Sequence, residues 1–387
     1  MATIFNYPPM QRVHSGASFA EAVTQEADRA GAKRVFLMVG GTISRETDWV
    51  DRLSRALHGR MVASWNRMSS HTPRGDVIEA TNAARDAGTD FVVTLGGGSV
   101  TDAGKVVRLG LANNLRQPDD FDRLATRIVD GKRIIPQMEA PTVPMVCVPT
   151  TLSAGDFSSG AGVTDIARGH KQAIYHVAMM ARAVVLDPSL SHRTPEWLWL
   201  STGIRAVDHA VEDICSVSGN PFSEGASMQA LRLLSRGLRG VKQRPGDESA
   251  YLDCLNGAWL SMVGSQSGVE KGASHGIGHA LGGAAKVPHG YTSCVMLPTV
   301  LRYNLSVNAA RQRLVSEAFG DASIPAADHV ANLVADLGLP GRIRDTGVKP
   351  EQLDHIAEMA MHDRWIPTNP RPITNAATVR SLLDQAW

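Results

Sequence analysis

Four of the thirteen histidines lie in three short segments of the second half of the chain. These are "RAVDHAVED" (205–213), "HGIGHALGG" (275–283) and "PHG" (288–290). His275 and His279 are four residues apart, so on a helix they share one face, and the break before His289 could return it to the same place. Imidazoles bind metal ions and transfer protons near neutral pH. The clustering beside glycine-rich breaks therefore favours a metal or acid–base site over histidines that are only packed.

A glycine-rich turn is the second feature that could bind a ligand. In "TLGGGSVTDAGK" (94–105), Gly96–Gly98 would end a strand and Ser99 would open a helix. Because glycines have no side chain, a phosphate could approach the backbone of this turn closely. Free N–H groups and the helix dipole would supply positive potential. Asp102 in the first turn would stabilise the helix start, with Lys105 one turn later. The segment predicts a phosphate-binding turn, although it is neither GxGxxG nor a P-loop.

A second polar turn follows a further apolar run. It is "PTTLSAGDFSSGAGVTD" (149–165), and its small hydroxyl residues are Thr150, Thr151, Ser153, Ser158 and Ser159. In a doubly wound sheet, loops at adjacent strand ends converge on the crevice where ligands bind. The two turns are therefore predicted to line one nucleotide site. A solvated hairpin loop is the alternative for this segment.

The framework that positions these residues changes in character along the chain. Five apolar runs are predicted as strands: 34–40, 61–65, 91–98, 142–151 and 182–188. Helical patterns alternate with them, from about Glu46 to Leu57, from Thr72 as N-cap with Pro73 in the first turn, and from about Ser99. This alternation implies a parallel sheet with helices on both faces. From about Thr194 onward the patterns are helical.

The length of 387 residues suits two domains. We expect an α/β dinucleotide-binding domain over 1–190 and an all-α domain over 191–387, with the ligand in the cleft between them. The net charge of +1 gives no electrostatic reason to expect nucleic acid or a membrane as partner. The chain lacks long apolar runs and a secretory signal pattern, and four widely spaced cysteines form no CxxC pair. A cytoplasmic protein with buried free thiols is therefore expected.

The order of these motifs resembles the iron-containing alcohol dehydrogenase superfamily. GGGS-xx-D-xx-K, PTT, an alanine-containing helix with His and Glu, HGxxH-x-LGG and PHG follow one another as they do there. The similarity runs from about Arg34 to the C-terminal "TNPRPITNAATVRSLL". The resemblance implies the dehydroquinate synthase-like fold, an α/β cofactor domain followed by a helical catalytic domain. It also implies hydride transfer with a nicotinamide cofactor, a small-molecule substrate and a homodimer.

The resemblance also implies roles for single residues. Gly96 to Ser99 are similar to the pyrophosphate turn, Thr150 and Thr151 to a pair near the nicotinamide half, and Lys171 to a lysine near the ribose. The full predicted cofactor set is Gly40, Arg45, Gly96, Gly97, Gly98, Ser99, Asp102, Thr150, Thr151, Ser153 and Lys171. NAD-selective members often place an aspartate at Gly40, so its absence and Arg45 nearby favour NADPH over NADH. The predicted catalytic set is Arg205, His209, His275, His279 and His289.

Arg205 departs from the pattern of metal-using members. They bind iron or zinc through residues that match His209, His275 and His289, and through an aspartate where this chain has Arg205. A guanidinium cannot ligate a cation, and its repulsion at ~4–5 Å would cost several kcal/mol. Asp208, one residue before His209, is expected to point elsewhere. No bound metal is therefore predicted, as in the maleylacetate reductase branch, which similarly lacks that aspartate but usually has a small polar residue there.

These considerations predict a metal-independent NAD(P)H-dependent reductase of a carboxylate-bearing keto or enoyl substrate. Arg205 and protonated imidazoles among His209, His275 and His289 would stabilise the oxyanion or bind the carboxylate, with His279 as general acid. The main alternative is an iron- or zinc-dependent alcohol or aldehyde dehydrogenase with a three-histidine site. Two minor alternatives are a cyclase that resembles dehydroquinate synthase and a non-catalytic nucleotide-binding sensor.

Overall fold

The structure is a computed structural model that describes residues 7–129 and 132–387. These residues divide into two compact units. One comprises Pro8–Leu190, and the other comprises Ser191–Trp387 together with Tyr7. Tyr7 joins the latter because its ring packs on Phe222, with the centroids 5.1 Å apart.

Parallel strands form the centre of the Pro8–Leu190 unit. Its strands are β1 (Arg12–Ser15), β2 (Val35–Val39), β3 (Met61–Trp65), β4 (Phe91–Gly96), β5 (Arg127–Val129), β6 (Lys132–Ile134), β7 (Met145–Pro149), β8 (Gly160–Asp165), β9 (His170–Tyr175) and β10 (Ala183–Leu186). Six of them form one sheet in the order β1-β10-β7-β4-β2-β3, and every neighbouring pair is parallel. The strands β5–β6 and β8–β9 form two antiparallel hairpins. The predicted parallel sheet is confirmed.

Helices cover both faces of this sheet. They are α1 (Phe19–Ala30), α2 (Gly41–Glu46), α3 (Trp49–Ala56), α4 (Arg74–Asp86), α5 (Gly98–Ala112) and, at the end of the unit, α6 (Pro188–Ser191). Within β2, Val35, Leu37 and Val39 pack in one apolar core, and Phe36 and Met38 pack in the other. Side chains of a strand alternate between its two faces, so a strand buried on both faces appears in the sequence as a continuous apolar run.

Some local expectations were wrong. The helix predicted from about Glu46 to Leu57 is α3, but the short helix α2 that precedes it was not predicted. Thr72 does not cap α4: its φ is 55°, and Pro73 occupies the N-cap position. The reason is tertiary, because the carbonyl of Thr72 accepts the N–H of Thr164, on β8. The short strand β1 was not predicted, since its four residues carry no clear apolar alternation.

The other unit is built from helices. They are α7 (Glu196–Cys215), α8 (Pro221–Gln243), α9 (Glu248–Leu260), α10 (Val263–Gln266), α11 (Ala273–Ala285), α12 (His289–Phe319), α13 (Ala326–Asp336), α14 (Leu353–Ala360) and α15 (Ala376–Gln385). Helix α12 is kinked at Asn308, whose φ of −135° is not helical. No strand occurs among the described residues of this unit, which confirms the predicted helical half. None of the described helices is both long and apolar enough to cross a bilayer.

Glycines allow α7, α11 and α12 to approach closely. A Cβ on Gly278 of α11 would lie 2.9 Å from Oγ1 of Thr292 on α12. A Cβ on Gly290 of α12 would lie 2.5 Å from the carbonyl of Ser201 on α7. Distances this short exclude any larger side chain without movement of the backbone. The close packing brings polar side chains of the three helices within hydrogen-bonding distance of each other.

Candidate active site

The glycine turn (Gly96–Ser99) lies where β4 ends and α5 begins. Gly97 is the N-cap of α5, and a Cβ at this position would lie 3.1 Å from Cγ2 of Thr151. A Cβ on Gly98 would lie 3.2 Å from Oγ of Ser153. The N–H of Thr150 donates to the carbonyl of Gly96 (3.0 Å). The structure therefore brings together the two polar turns of the sequence.

Side chains at the start of α5 hold neighbouring loops. Oγ of Ser99 accepts the backbone N–H of His71 (3.0 Å), and Oδ2 of Asp102 accepts the N–H of Gly162 (3.1 Å). The buried ammonium of Lys105 donates to two backbone carbonyl oxygens, at 2.6 and 2.9 Å. These side chains are engaged in holding the loops. An anion at this turn would therefore be bound by backbone N–H groups and by the helix dipole.

Gly40 lies beside the glycine turn, and Arg45 lies on α2, the helix that Gly40 caps. Gly40 follows β2, caps α2, and donates its N–H to the carbonyl of Leu95 on β4 (3.0 Å). Arg45 is folded back onto α2, with Nη1 3.2 Å from the position of a Cβ on Gly41. Lys171 lies on β9 and reaches over the backbone of β8. Of the predicted cofactor residues, Gly40 and Arg45 thus stand at the carboxyl end of the parallel strands, and Lys171 stands on the β8–β9 hairpin.

One face of α7 carries five ionisable side chains. They are spaced as i, i+3, i+4, i+7 and i+8, which places them along one stripe of a helix. They are Arg205, Asp208, His209, Glu212 and Asp213. Four of them are buried, and the side chain of Arg205 is only 11% exposed. Buried charges at this density must be paired or hydrogen-bonded, so their partners define the site.

His275 of α11 is held by carboxylates of α7. Its Nδ1 lies 2.8 Å from Oε2 of Glu212 and 3.5 Å from Oδ2 of Asp208. Carboxylates only accept, so Nδ1 carries the hydrogen and Nε2 faces away from them. Among the described residues, no group hydrogen-bonds to the buried Nε2 of His275 or Nδ1 of His209, whose rings lie 5.0 Å apart. Unsatisfied buried nitrogens of this kind are what a bound ligand would complete.

Asp208 faces this cluster, which corrects the expectation that it points elsewhere. Its Oδ2 accepts hydrogen bonds from Oγ of Ser274 on α11 (2.9 Å) and Oγ of Ser293 on α12 (2.6 Å). It also lies 3.6 Å from Nη1 of Arg205. Burial raises the pKa of Asp208, but His275, Arg205 and the Ser293 hydroxyl lower it overall. The packing of α11 and α12 on α7 therefore determines its direction.

Arg205 is the fixed cation of the site. Its Nη1 donates to Oγ of Ser293 (3.1 Å). Among the described residues, Ser293 is its only hydrogen-bond partner and Asp208 its only ion-pair partner. Burial lowers the pKa of Arg205, but a guanidinium stays protonated in proteins. We call Arg205, Asp208, Ser274, His275 and Ser293 the Arg205 cluster.

A second buried ion pair lies behind His209. The ammonium of Lys271 donates to the carbonyl of His209 (2.9 Å) and to the carboxylate of Asp213. Burial raises the pKa of Asp213 to about 6 despite this pairing. Burial, His275, Lys271 and Arg205 together lower the pKa of His209 well below its usual value. His209 is therefore neutral near pH 7, which removes it from the protonated imidazoles that the sequence suggested.

His279 forms a separate dyad with an acidic residue from the loop after α14. Its Nδ1 lies 2.8 Å from Oδ2 of Asp363. Desolvation lowers the pKa of His279, and Asp363 partly offsets this. The exposed His289 lies nearby, with its ring 6.3 Å from that of His279. The ring of Trp365 contacts both His275 (5.2 Å) and His279 (4.9 Å), so the structure brings these imidazoles to one place.

The sequence analysis did not predict a role for several residues of this site. Glu212 had a signal, because it follows His209 by three residues on a predicted helix. Asp363 had none, since it lies 84 residues from its partner His279. Ser293 and Trp365 are residue types that usually pack without a chemical role, and spacing alone does not single them out.

Carboxylates and a histidine also form a group with metal-binding geometry. The ligand atoms of Asp208, Glu212 and His275 lie within 4.8 Å of one another. Many of their lone pairs are already used, because Glu212 accepts from His275 and two backbone N–H groups, and Oδ2 of Asp208 accepts from two serines. Oδ1 of Asp208 has no hydrogen-bond partner among the described residues. The guanidinium of Arg205 stands 3.6 Å from the same carboxylate of Asp208. A cation there would have to displace these donors.

Comparison with known proteins matches both units. Residues 9–188 match the family described as iron-containing alcohol dehydrogenase, and residues 199–387 match the Fe-containing alcohol dehydrogenase family, C-terminal. The chain is 34% identical to Dehydrogenase ALT3 of Alternaria alternata, over 89% of this chain and 96% of that protein. It is 28% identical to a maleylacetate reductase of Burkholderia cepacia, over 97% and 95%.

Solved structures agree with these matches. The crystal structure of maleylacetate reductase from Agrobacterium tumefaciens superposes with a TM-score of 0.84 at 25% identity, covering 100% of this chain and 98% of that one. The superposition shows that the two chains share one fold over their whole length. The chain therefore belongs to the iron-containing alcohol dehydrogenase superfamily, as an oxidoreductase with maleylacetate reductases among its relatives.

Proposed function

We propose that the chain is a metal-independent, NAD(P)H-dependent reductase of a carboxylate-bearing keto or enoyl substrate, similar to the maleylacetate reductases. The observation that carries this proposal is the buried guanidinium of Arg205, which is anchored by Ser293 and Asp208. It stands within a cluster of imidazoles, where relatives that use a metal would bind a cation. A fixed positive charge suits an anionic substrate and opposes a metal ion.

The α/β unit would hold the cofactor. Gly97 and Gly98 lie against Thr151 and Ser153 so closely that even an added methyl group would be crowded, which keeps bare backbone at the turn. The pyrophosphate would bind there, with Thr150 and Lys171 contacting the remaining parts of the dinucleotide. When bound, the reduced nicotinamide supplies the hydride. Arg45 beside Gly40 supports NADPH as the preferred form, because a guanidinium pairs well with a ribose 2′-phosphate.

Arg205 would bind the substrate and stabilise negative charge that develops on it. Only Nη1 is engaged, so N–H groups on the rest of the guanidinium can form a two-point contact with a carboxylate. The imidazole of His275 is oriented by Glu212 so that its Nε2 faces away from the carboxylates. These groups are held before any ligand binds, and such preorganised polar groups stabilise a transition state effectively.

His279 would supply the proton. Its Nδ1–H is directed at Asp363, so Nε2 is the atom that takes a proton from solvent and passes it to the substrate. Reduction of a keto group then adds one hydride to carbon and one proton to oxygen. For an enoyl substrate, both are added across the carbon–carbon double bond. The α/β unit thus orients the cofactor, and the helical unit holds the anion and the proton donor.

A divalent metal does not fit the cluster as well as this arrangement does. Glu212 and Oδ2 of Asp208 already accept several hydrogen bonds, and Arg205 adds a positive charge at 3.6 Å from that oxygen of Asp208. One observation favours the second candidate, a metal-dependent alcohol or aldehyde dehydrogenase. The buried Nε2 of His275 and Nδ1 of His209 have no hydrogen-bond partner among the described residues, and such nitrogens ligate iron and zinc.

Metal content and substrate range test the two candidates together. The protein would be purified with zinc and ferrous iron present, desalted, and assayed by elemental analysis. NADPH and NADH oxidation would be followed with keto acids, enoyl acids, aldehydes and ketones. Less than about 0.1 metal per chain with turnover of carboxylated substrates supports the proposal. About one metal per chain, with activity on simple aldehydes that a chelator abolishes, would establish the second candidate instead.

Two further expectations accompany the proposal. The homodimer implied by the family stays a prediction, which light scattering on the purified protein would test. The cytoplasm stays the predicted location. The four cysteines are buried free thiols in the structure, as the sequence analysis expected of a protein in a reducing compartment.

A further inference from the structure

We propose that Asp208 and Ser293 are positioning residues, which hold the guanidinium of Arg205 in the orientation that receives a substrate carboxylate. The inference deepens the proposed function and rests on it. It assigns to the Arg205 cluster a specific internal order, in which one hydroxyl connects the cation to its counter-charge.

The bridging hydroxyl gives this order. Oγ of Ser293 accepts from Nη1 of Arg205 at 3.1 Å and donates to Oδ2 of Asp208 at 2.6 Å. A hydroxyl has one hydrogen and two lone pairs, so it can make both bonds at once. Nη1 and Oδ2 are themselves 3.6 Å apart. The guanidinium is therefore held both through Ser293 and by direct attraction to Asp208.

Burial makes the two charges depend on each other. Asp208 has no solvent exposure, and the Arg205 side chain is 11% exposed. A buried charge that loses its partner is strongly unfavourable, so neither is stable there alone. The closest approach between the two side chains is from Oδ2 of Asp208 to Nη1 of Arg205. The remaining N–H groups of the guanidinium are left for a ligand.

Three helices fix the position of this group. Arg205 and Asp208 are on α7, Ser293 is on α12, and Ser274 on α11 donates a further hydrogen bond to Asp208 (2.9 Å). Gly278 of α11 borders the guanidinium, because a Cβ there would lie 3.7 Å from Nη1. The absence of a side chain at this position leaves room for Arg205. The guanidinium therefore stands among three packed helices.

Two serines provide a matched pair of variants. Both donate to Oδ2 of Asp208, but only Ser293 also contacts Arg205. If Asp208 and Ser293 position the guanidinium, Ser293→Ala weakens carboxylate binding much more than Ser274→Ala does. If the serines only satisfy a buried carboxylate, the two variants behave alike. Both substitutions remove a single oxygen, so both proteins are expected to fold.

Inhibition by succinate, a simple dicarboxylate, gives the readout. Its Ki would be measured against the best substrate of the panel, with Kd for NADPH as a second measurement. We expect Ser293→Ala to raise Ki about tenfold and Ser274→Ala to raise it less than about twofold, with Kd for NADPH unchanged in both. Equal effects of the two variants on Ki would overturn the inference. If succinate does not bind the unaltered enzyme, the proposal that Arg205 binds a carboxylate is wrong.

A double-mutant cycle separates positioning from a structural role. Asp208→Asn is expected to raise Ki in the natural protein, but to have no effect on Ki in Arg205→Met, because it acts through that side chain. An equal effect of Asp208→Asn in both backgrounds would show that it acts elsewhere. If Arg205→Met leaves Ki unchanged, the proposed function fails. If Arg205→Met raises Ki but the serine variants are alike, only the positioning role fails.

Discussion

The glycine turn and the Arg205 cluster are built in opposite ways. At the glycine turn, the groups available to a ligand belong to the backbone, while Ser99 and Asp102 hold adjacent loops. In the Arg205 cluster, every group belongs to a side chain, and each is buried against a partner from another helix. Both regions would bind anions according to our proposal. They differ in what fixes the binding groups.

This difference has physical consequences. Backbone N–H groups at a helix start carry no titrating proton, and local chain geometry is enough to present them. Buried side-chain charges are stable only as a complete set, since loss of one partner leaves another unsatisfied. The glycine turn should therefore be sensitive to added volume, and the Arg205 cluster to loss of a charged group or of the Ser293 hydroxyl that joins two of them. The following experiments test this contrast.

Loss of the guanidinium should have the largest effect. Arg205→Ala is expected to lower kcat/KM for a carboxylated substrate by about 100- to 1000-fold, because the preorganised cation is removed. Arg205→Lys keeps the charge but loses the planar fork, so an intermediate loss is expected. Steady-state kinetics would measure both, with Kd for NADPH as control. Full activity of Arg205→Ala on the true substrate would refute its role.

Added volume at the glycine turn should mainly weaken cofactor binding. A Cβ at Gly97 already lies 3.1 Å from Thr151, so Gly97→Val crowds the turn and is expected to raise Kd for NADPH at least tenfold, since overpacking typically costs about 1–3 kcal/mol. Gly155→Ala is the control, because its Cβ would meet its nearest neighbour at 3.8 Å, an ordinary contact. Fluorescence titration gives both constants. Equal Kd values for the two variants would contradict this account of the turn.

Close packing around the buried carboxylates of α7 should make the free energy of unfolding sensitive to added volume there. A Cβ on Gly264 would lie 2.2 Å from Oδ2 of Asp213, so Gly264→Ala is expected to destabilise the protein by about 1–3 kcal/mol. Gly225→Ala is the matched control in the same unit. Its helical position on α8 is open, and it should gain about 0.5–1 kcal/mol. Urea unfolding followed by circular dichroism would measure both; a stable Gly264→Ala protein would contradict the expectation.

A dependence of the rate on pH is also expected. Desolvation lowers the pKa of His279 below 6.5, so its imidazole is mostly neutral at pH 8 and gains a proton as the pH falls. Reduction consumes that proton, so kcat/KM should rise from pH 8 to pH 6, by at most about tenfold per unit. Asp363→Asn removes a group that raises this pKa, and should move the rise to lower pH. A profile unaffected by His279→Gln would exclude His279 as the proton donor.

A region can be predicted from the sequence when its interactions join residues that are close together in the chain. The glycine turn was predictable because strand, glycines and helix start are consecutive, and the neighbouring turn follows the adjacent strand β7. The helical spacing of Arg205, His209, His275 and His279 was readable for the same reason. The N-cap predicted at Thr72 was wrong because a hydrogen bond from Thr164, 92 residues later in the chain, holds that turn.

The sequence by itself determined the parallel sheet, the helical second unit and the glycine turn. These follow from local periodicity and residue type, which act over a few turns of chain. Only the tertiary structure decided that Ser293 bridges Asp208 and Arg205, and that Asp363 orients His279. The direction of a buried side chain is set by the helices that pack on it. The contacts of Ser293 with α7 and of Asp363 with His279 join residues more than 80 positions apart, where spacing along the chain carries no information.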